Sequence, residues 1–173
     1  MRQIDVYQMD IVGLTHFTFA IFSMVFGALI IFVRKGDQKH KIIGYAYCIS
    51  MLGVNATALV IYKLFDFFGP FHVFALISLL TIGAGFFPVY FKKPEKDWLE
   101  YHYEFMNWSV VGLYAAFWSE TFTRFFEFSD MAGFWYWVGT ATAITVAVGA
   151  YFIKKKKSYL LDTYRKERFK AGN

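Results

Sequence analysis

The chain alternates long apolar segments with short polar ones, and this pattern predicts its helices. Five stretches, charge-free apart from Glu104 and Glu120 in the fourth, each run for about 21 to 23 residues. At a rise of ~1.5 Å per residue, each could cross a hydrocarbon core of roughly 30 Å as an α-helix. The sequence therefore predicts one transmembrane domain, residues 1–153, with spans at about 11–33, 42–62, 71–91, 102–124 and 131–153.

Composition agrees with this pattern. Hydrophobic residues make up 57% of the chain and charged residues only 18%, whereas a soluble domain usually carries about 25% charge. The expected fold class is an all-α integral membrane protein, in which helices 1 to 4 form a bundle and helix 5 flanks it. The single Cys48 excludes an intramolecular disulfide.

The basic residues predict the orientation of the chain. Of its 18 Lys and Arg residues, 15 fall in segments 34–41, 92–100 and 154–173. The positive-inside rule places these segments in the cytoplasm and the N-terminus outside. We therefore expect a multi-pass membrane protein with residues 154–173 as a basic cytoplasmic tail beside lipid headgroups. Because this asymmetry explains the net charge of +5, no nucleic-acid partner is expected.

The titratable residues fall into two predicted layers. Counted from the helix ends, His16, His72 and Glu120 lie near the outer surface, whereas His40 and His102 lie near the inner one. Glu120 follows His102 by 18 residues, which is five turns or about 27 Å along one stripe of helix 4. Because titratable groups within a span are costly, these residues are candidates for function.

The leading hypothesis is that the histidines bind haem b. Membrane bundles hold haem between imidazoles on facing helices, and the pairs His16/His72 and His40/His102 each join two helices at similar depth. Two such layers would suit electron transfer across the membrane. The polar and small face of helix 2 and the histidine stripe of helix 4 would support them, with candidate residues Tyr47, Asn55, Met106 and Arg124.

Other interpretations of the same residues stay open. His16, His72 and Glu120 resemble the two-imidazole, one-carboxylate ligand set of catalytic zinc sites, and a zinc-like divalent metal there would favour hydrolysis. The same three groups could instead relay protons or ions in transport. His40 and His102 are also suited to anchoring helices at the headgroups, and Glu120 with Arg124 to an i,i+4 ion pair.

Two segments resemble a known family. KGDQKHKIIGYAYCISM and YHYEFMNWSVVGLYAAFWSETFTR are similar to motifs of the prokaryotic membrane family catalogued as domain of unknown function 2306. The second segment carries His102, Met106, Glu120 and Arg124. The resemblance covers about residues 12 to 150 and implies a small polytopic protein of a prokaryotic inner (cytoplasmic) membrane.

The resemblance brings no established activity, so it leaves open whether the protein is an enzyme. The layered histidines are also loosely similar to those of di-haem b-type cytochromes. A third hypothesis is a non-catalytic subunit or assembly factor of a membrane complex. The partners left open beside lipid are a larger membrane complex and further copies of the chain in a homo-oligomer.

Overall fold

The computed structural model describes residues 10–62, 67–126 and 130–171, without the side chains of residues 124, 125, 165 and 167–171. Over these residues all regular secondary structure is helical and no strand is present, so the all-α prediction is confirmed. The five helices are α1 (Ile11–Phe32), α2 (Gln38–Ala58), α3 (Pro70–Phe91), α4 (Trp98–Phe125) and α5 (Met131–Ala171).

The helices have the surface of a membrane protein. Within the described residues, α1, α3 and the Met131–Tyr164 part of α5 are long and apolar enough to cross a membrane. Large apolar side chains are exposed on all five helices, among them Phe17, Ile49, Leu80, Trp118 and Ile144. The crossing of α2 and α4 stays a prediction, because α2 starts with polar residues and α4 contains three glutamates.

Aspartates begin three of the helices. The carboxylates of Asp10, Asp37 and Asp130 accept main-chain hydrogen bonds at 2.8, 2.7 and 2.8 Å from the residues three positions later. Such caps satisfy amide groups that have no partner inside the helix. Before α2, Gly36 adopts a φ of 84°, which glycine tolerates without steric cost.

The first compact unit, residues 1–82, is built on the packing of α1 against α2. The buried residues of α1 are Ser23 and Gly27, a small-xxx-small pair that lets helix backbones approach closely in lipid. On α2, a β-carbon at Gly53 would lie 2.5 Å from the ring of Phe19. Small residues on both helices therefore set this close contact.

The second unit, residues 83–173, pairs α4 with α5. Ser119 near the end of α4 contacts Val138 near the start of α5, and Tyr103 near the start of α4 contacts Ile153, so the helices are antiparallel. Because α5 continues to Ala171, most of the predicted tail is a helical extension. Its Leu161 packs with Tyr103 and Ile153 in a buried cluster. The division between the units falls inside α3.

Candidate functional site

His16 lies in the second turn of α1 and its imidazole faces the end of α2. Its Nδ1 is 3.2 Å from the carbonyl oxygen of Val54 and 2.9 Å from the hydroxyl of Thr57. The Thr57 hydroxyl has two carbonyl acceptors for its single hydrogen, Gly53 at 2.7 Å and Val54 at 2.9 Å. Since a carbonyl only accepts, Nδ1 of His16 carries the proton and the neutral ring keeps its lone pair on Nε2.

His72 has the opposite hydrogen-bond arrangement. It is the third residue of α3, and its Nδ1 accepts a hydrogen bond from the main-chain N–H of Gly69 at 3.1 Å. The His72 side chain thus reaches back to the residue before the helix, as the third-position Glu or Gln of a capping box does. Pro70 occupies the first position of the helix, which suits proline. The neutral ring therefore carries its proton on Nε2.

The Nε2 of His72 is buried. The residue is 3% exposed, and this nitrogen has no hydrogen-bond partner among the described residues. The rings of Tyr62 and Phe68 lie 4.5 and 4.9 Å from the imidazole, centroid to centroid. A buried donor without an acceptor costs about 1–3 kcal/mol, so this nitrogen is a candidate position for binding.

The two predicted inner histidines lie near the starts of their helices. His102, half-buried in α4, has its Nδ1 2.8 Å from the carbonyl oxygen of Gly85, so this histidine also donates from Nδ1. His40 is half-buried, and its main-chain N–H donates to the capping carboxylate of Asp37 at 2.7 Å. His40 belongs to the first unit and His102 to the second, so their predicted pairing stays a prediction.

Two supporting residues on α2 lie inside the first unit. Tyr47 is fully buried and Asn55 is 3% exposed, as the predicted polar stripe of this helix requires. The Asn55 amide donates to the carbonyl of Met51 at 2.8 Å and to the hydroxyl of Ser78 on α3 at 3.0 Å. Asn55 thus satisfies polar groups across a helix pair where lipid offers no alternative.

Glu120 is more exposed to the surroundings than two residues that precede it on the same face of α4. Ser109 and Leu113 are buried, whereas Glu120 is exposed, although all three lie on one face of α4. Glu120 belongs to the second unit and His16 and His72 to the first. Within residues 10–62, 67–126 and 130–171, no three His, Cys, Asp or Glu side chains are grouped to hold a metal. The Arg124 side chain lies outside the described residues.

One polar cluster was not predicted from the sequence. Lys157 of α5 contacts the carboxylates of Glu100 and Glu104 on α4 at 2.6 and 2.8 Å. The hydrogen bonds that the Lys157 ammonium donates to Glu100 and, second, to Glu104 raise the pKa of Lys157 above its ordinary value. The signal was available, because two glutamates one turn apart on α4 face the lysines at 154–157 once α4 and α5 are antiparallel.

The cluster borders a groove on α4. It is lined by three acidic and three aromatic residues: Asp97, Glu100, Tyr101, Glu104, Phe105 and Trp108. The nearby Trp98 and Tyr103 are 5% and 9% exposed, whereas Tyr101 is 44% exposed. Of these three aromatics near His102, only Tyr101 is placed to anchor the helix at the headgroups, because α5 covers the other two.

Comparison with known proteins places the chain in a family. The sequence model described as "Predicted membrane protein (DUF2306)" matches residues 13–153, which is most of the chain. No curated protein matches it. No solved structure matches it either.

Proposed function

We propose that this chain, which belongs to the DUF2306 family of predicted membrane proteins, is a haem-b-binding electron-transfer protein. His16 and His72, both in the first unit, would be the axial ligands of its outer haem. Bound between two imidazoles, the haem would supply one-electron redox chemistry.

The observation that carries this proposal is the hydrogen bonding of His16. Metal-bound histidines almost always donate their other ring N–H to a carbonyl or carboxylate, which fixes the tautomer and orients the ring. His16 donates from Nδ1 to Val54 and Thr57, leaving Nε2 with the lone pair that an axial ligand needs. His102 has the same arrangement at the carbonyl of Gly85.

His72 fits the role in position but needs one local change. Its buried Nε2 lacks a partner among the described residues, and the aromatic rings of Tyr62 and Phe68 lie beside the imidazole. Ligation through Nε2 requires the proton to move to Nδ1, and His72 must then release the N–H of Gly69. The outer site therefore couples cofactor binding to the cap of α3.

The proposal includes the membrane topology. All five helices would cross the bilayer, with the N-terminus outside and the C-terminus in the cytoplasm of a prokaryote. The basic-residue asymmetry supports this orientation. Reporter fusions after Gly36, Pro94 and Ala171 are expected to mark the cytoplasmic side, and fusions after Gly69 and Asp130 the outer side. An outer signal at Ala171 would contradict the orientation.

The absorption spectrum of the purified, detergent-solubilised protein tests haem binding. We expect a Soret band, present on purification or after adding haem. The informative variant is His72→Gln, because a glutamine oxygen can still accept from Gly69 but cannot act as an imidazole ligand. Its bis-histidine spectrum should be lost while its helix content is retained.

Gly139→Ala is the matched control, since a β-carbon there meets nothing within 4 Å. It should leave the spectrum unchanged. A wild type with no Soret band after haem addition would remove the haem proposal. A band that persists unchanged in both His16→Gln and His72→Gln would remove the outer site.

A second candidate is an outer proton site on the same two histidines, with Glu120 as the predicted third group. The tautomers favour it, because His72 presents an N–H at Nε2 and His16 presents a lone pair there. A zinc-like site would need a lone pair on both. Equal, negligible metal in wild type and His72→Ala would remove the metal version. Proton flux is measured in vesicles loaded with a pH-sensitive dye. If both His16→Gln and His72→Gln carried protons as fast as wild type, the proposed proton site would be contradicted.

A further inference from the structure

In the second unit, the last turns of α3 contact the start of α4 at Gly85. Pro88 lies inside α3 and has no N–H, so the carbonyl of Ala84 lacks its usual intrahelical donor. At the next residue, the carbonyl of Gly85 receives the Nδ1–H of His102 at 2.8 Å. A side chain of α4 thus bonds the main chain of α3 beside the proline.

The missing side chain of Gly85 allows this contact. A β-carbon there would lie 2.7 Å from Sδ and 2.9 Å from Cγ of Met106, and 3.1 Å from the main-chain nitrogen of Met106. The methionine side chain could move aside, but the nitrogen belongs to the backbone of α4. A side chain at position 85 would therefore require the two helices to move apart by a few tenths of an ångström.

We propose that Gly85 is a positioning residue for His102. The glycine contact sets the helix separation at which the carbonyl of Gly85 reaches Nδ1, and this bond fixes the tautomer with its lone pair on Nε2. Met106, one turn after His102, packs on the same glycine. The histidine and the methionine of this segment thus both act on the main chain of α3, whether or not haem is bound.

The bond does not depend on the charge of His102. A protonated imidazole carries hydrogens on both nitrogens, so it still donates from Nδ1 to the carbonyl. The position of the ring is therefore set by the helix contact rather than by pH, and a change in that contact should alter the tautomer of the neutral ring.

Nitrogen NMR of the protein labelled with 15N-histidine tests the proposal, with the signal of His102 assigned by its loss in His102→Gln. The neutral wild type is expected to show a protonated Nδ1 and an unprotonated Nε2. In Gly85→Ala, the ratio of the Nδ1–H to the Nε2–H tautomer should fall by roughly two- to tenfold, the worth of one neutral hydrogen bond.

Two variants make the result specific. Gly83→Ala is the matched control, because its β-carbon would meet only the Phe87 side chain of the same helix, at 3.4 Å, and its tautomer ratio should stay that of wild type. The double variant Gly85→Ala/Met106→Ala removes the contacts of the new β-carbon with Sδ and Cγ of Met106 but keeps its contact with the main-chain nitrogen. It should therefore restore part of the wild-type ratio of the two tautomers.

A wild-type His102 protonated on Nε2 would overturn the proposal, even if Gly85→Ala did not fold. An unchanged ratio in a folded Gly85→Ala would also overturn it. The proposal would equally fail if Gly83→Ala changed the ratio as much as Gly85→Ala.

Discussion

The role of each histidine depends on what its Nδ1 does. His16 and His102 donate from Nδ1 to main-chain carbonyls, whereas His72 accepts there from Gly69. The first two imidazoles keep a lone pair on Nε2, and the third keeps a hydrogen. Chemically equivalent residues in the sequence therefore differ in the structure, and the difference follows from one hydrogen bond at each ring.

A prediction at this scale concerns Gly53. Replacing it with alanine would place a β-carbon 2.5 to 2.7 Å from three ring carbons of Phe19, and such overpacking costs typically about 1–3 kcal/mol. We expect Gly53→Ala to lower the melting temperature in detergent and Gly53→Ala/Phe19→Leu to recover much of it. Gly112→Ala, with nothing within 4 Å, should cause no loss. A fully stable Gly53→Ala would show that α1 can move away from α2.

The α4–α5 pair illustrates how one element shapes another. The extension of α5 past Ile153 brings Lys157 to two glutamates and Tyr164 to the edge of Trp98. The hydroxyl of Tyr103 donates to the carbonyl of Ile153 at 2.9 Å. The first turns of α4 are therefore held by the part of α5 that the sequence suggested was a tail.

We predict that Lys157 stabilises this pair in a pH-dependent way. Because its pKa is raised from 10.5, its contribution is complete below that ordinary value and is lost as the pH rises through the raised one. Lys157→Ala should therefore be less stable than wild type at pH 8, by about 0.2–1 kcal/mol per ion pair. The difference should shrink in strongly alkaline solution. The difference in stability between Lys157→Ala and wild type is measured by thermal unfolding in detergent, at pH 8 and in strongly alkaline solution.

Lys156→Ala is the control for this measurement. It removes the same charge from the neighbouring position, where the side chain is exposed, and should unfold like wild type at both pH values. Equal stability of Lys157→Ala and wild type at pH 8 would show that the two ion pairs contribute nothing.

For the whole molecule, the main physical fact is an apolar exterior. Described residues such as Leu80 and Phe32 are 73% and 83% exposed, while the buried positions include Ser23, Asn55, Ser109 and Ser119. Small and polar residues between helices, with apolar ones outside, are expected where lipid is the solvent. The protein should therefore remain in membrane pellets after alkaline carbonate washing and dissolve only in detergent. Release by carbonate alone would contradict membrane integration.

The sequence predicted the features that depend on local pattern. The five apolar runs correspond to helices, and the α2 stripe with Tyr47, Met51 and Asn55 is buried. Depth and periodicity along one helix are sufficient for such predictions.

The features that depend on contacts between helices could not be predicted. The hydrogen bonds that His16 donates to Thr57 and His102 donates to Gly85 join residues 41 and 17 positions apart. No spacing in a single sequence indicates such contacts. The capping role of His72 was hidden for another reason. Gly69 and Pro70 before it are typical of a helix start, but imidazole is not a usual capping group.

The unbroken α5 also bears on how this protein could be imaged. With 41 residues it extends for about 60 Å, roughly twice the thickness of a hydrocarbon core, and it contains no proline. At 20.2 kDa, the chain gives little mass for aligning particles in electron cryomicroscopy. A soluble domain joined in helical register after Ala171 would turn rigidly with α5, so the fusion would provide a fiducial for locating any bound cofactor directly.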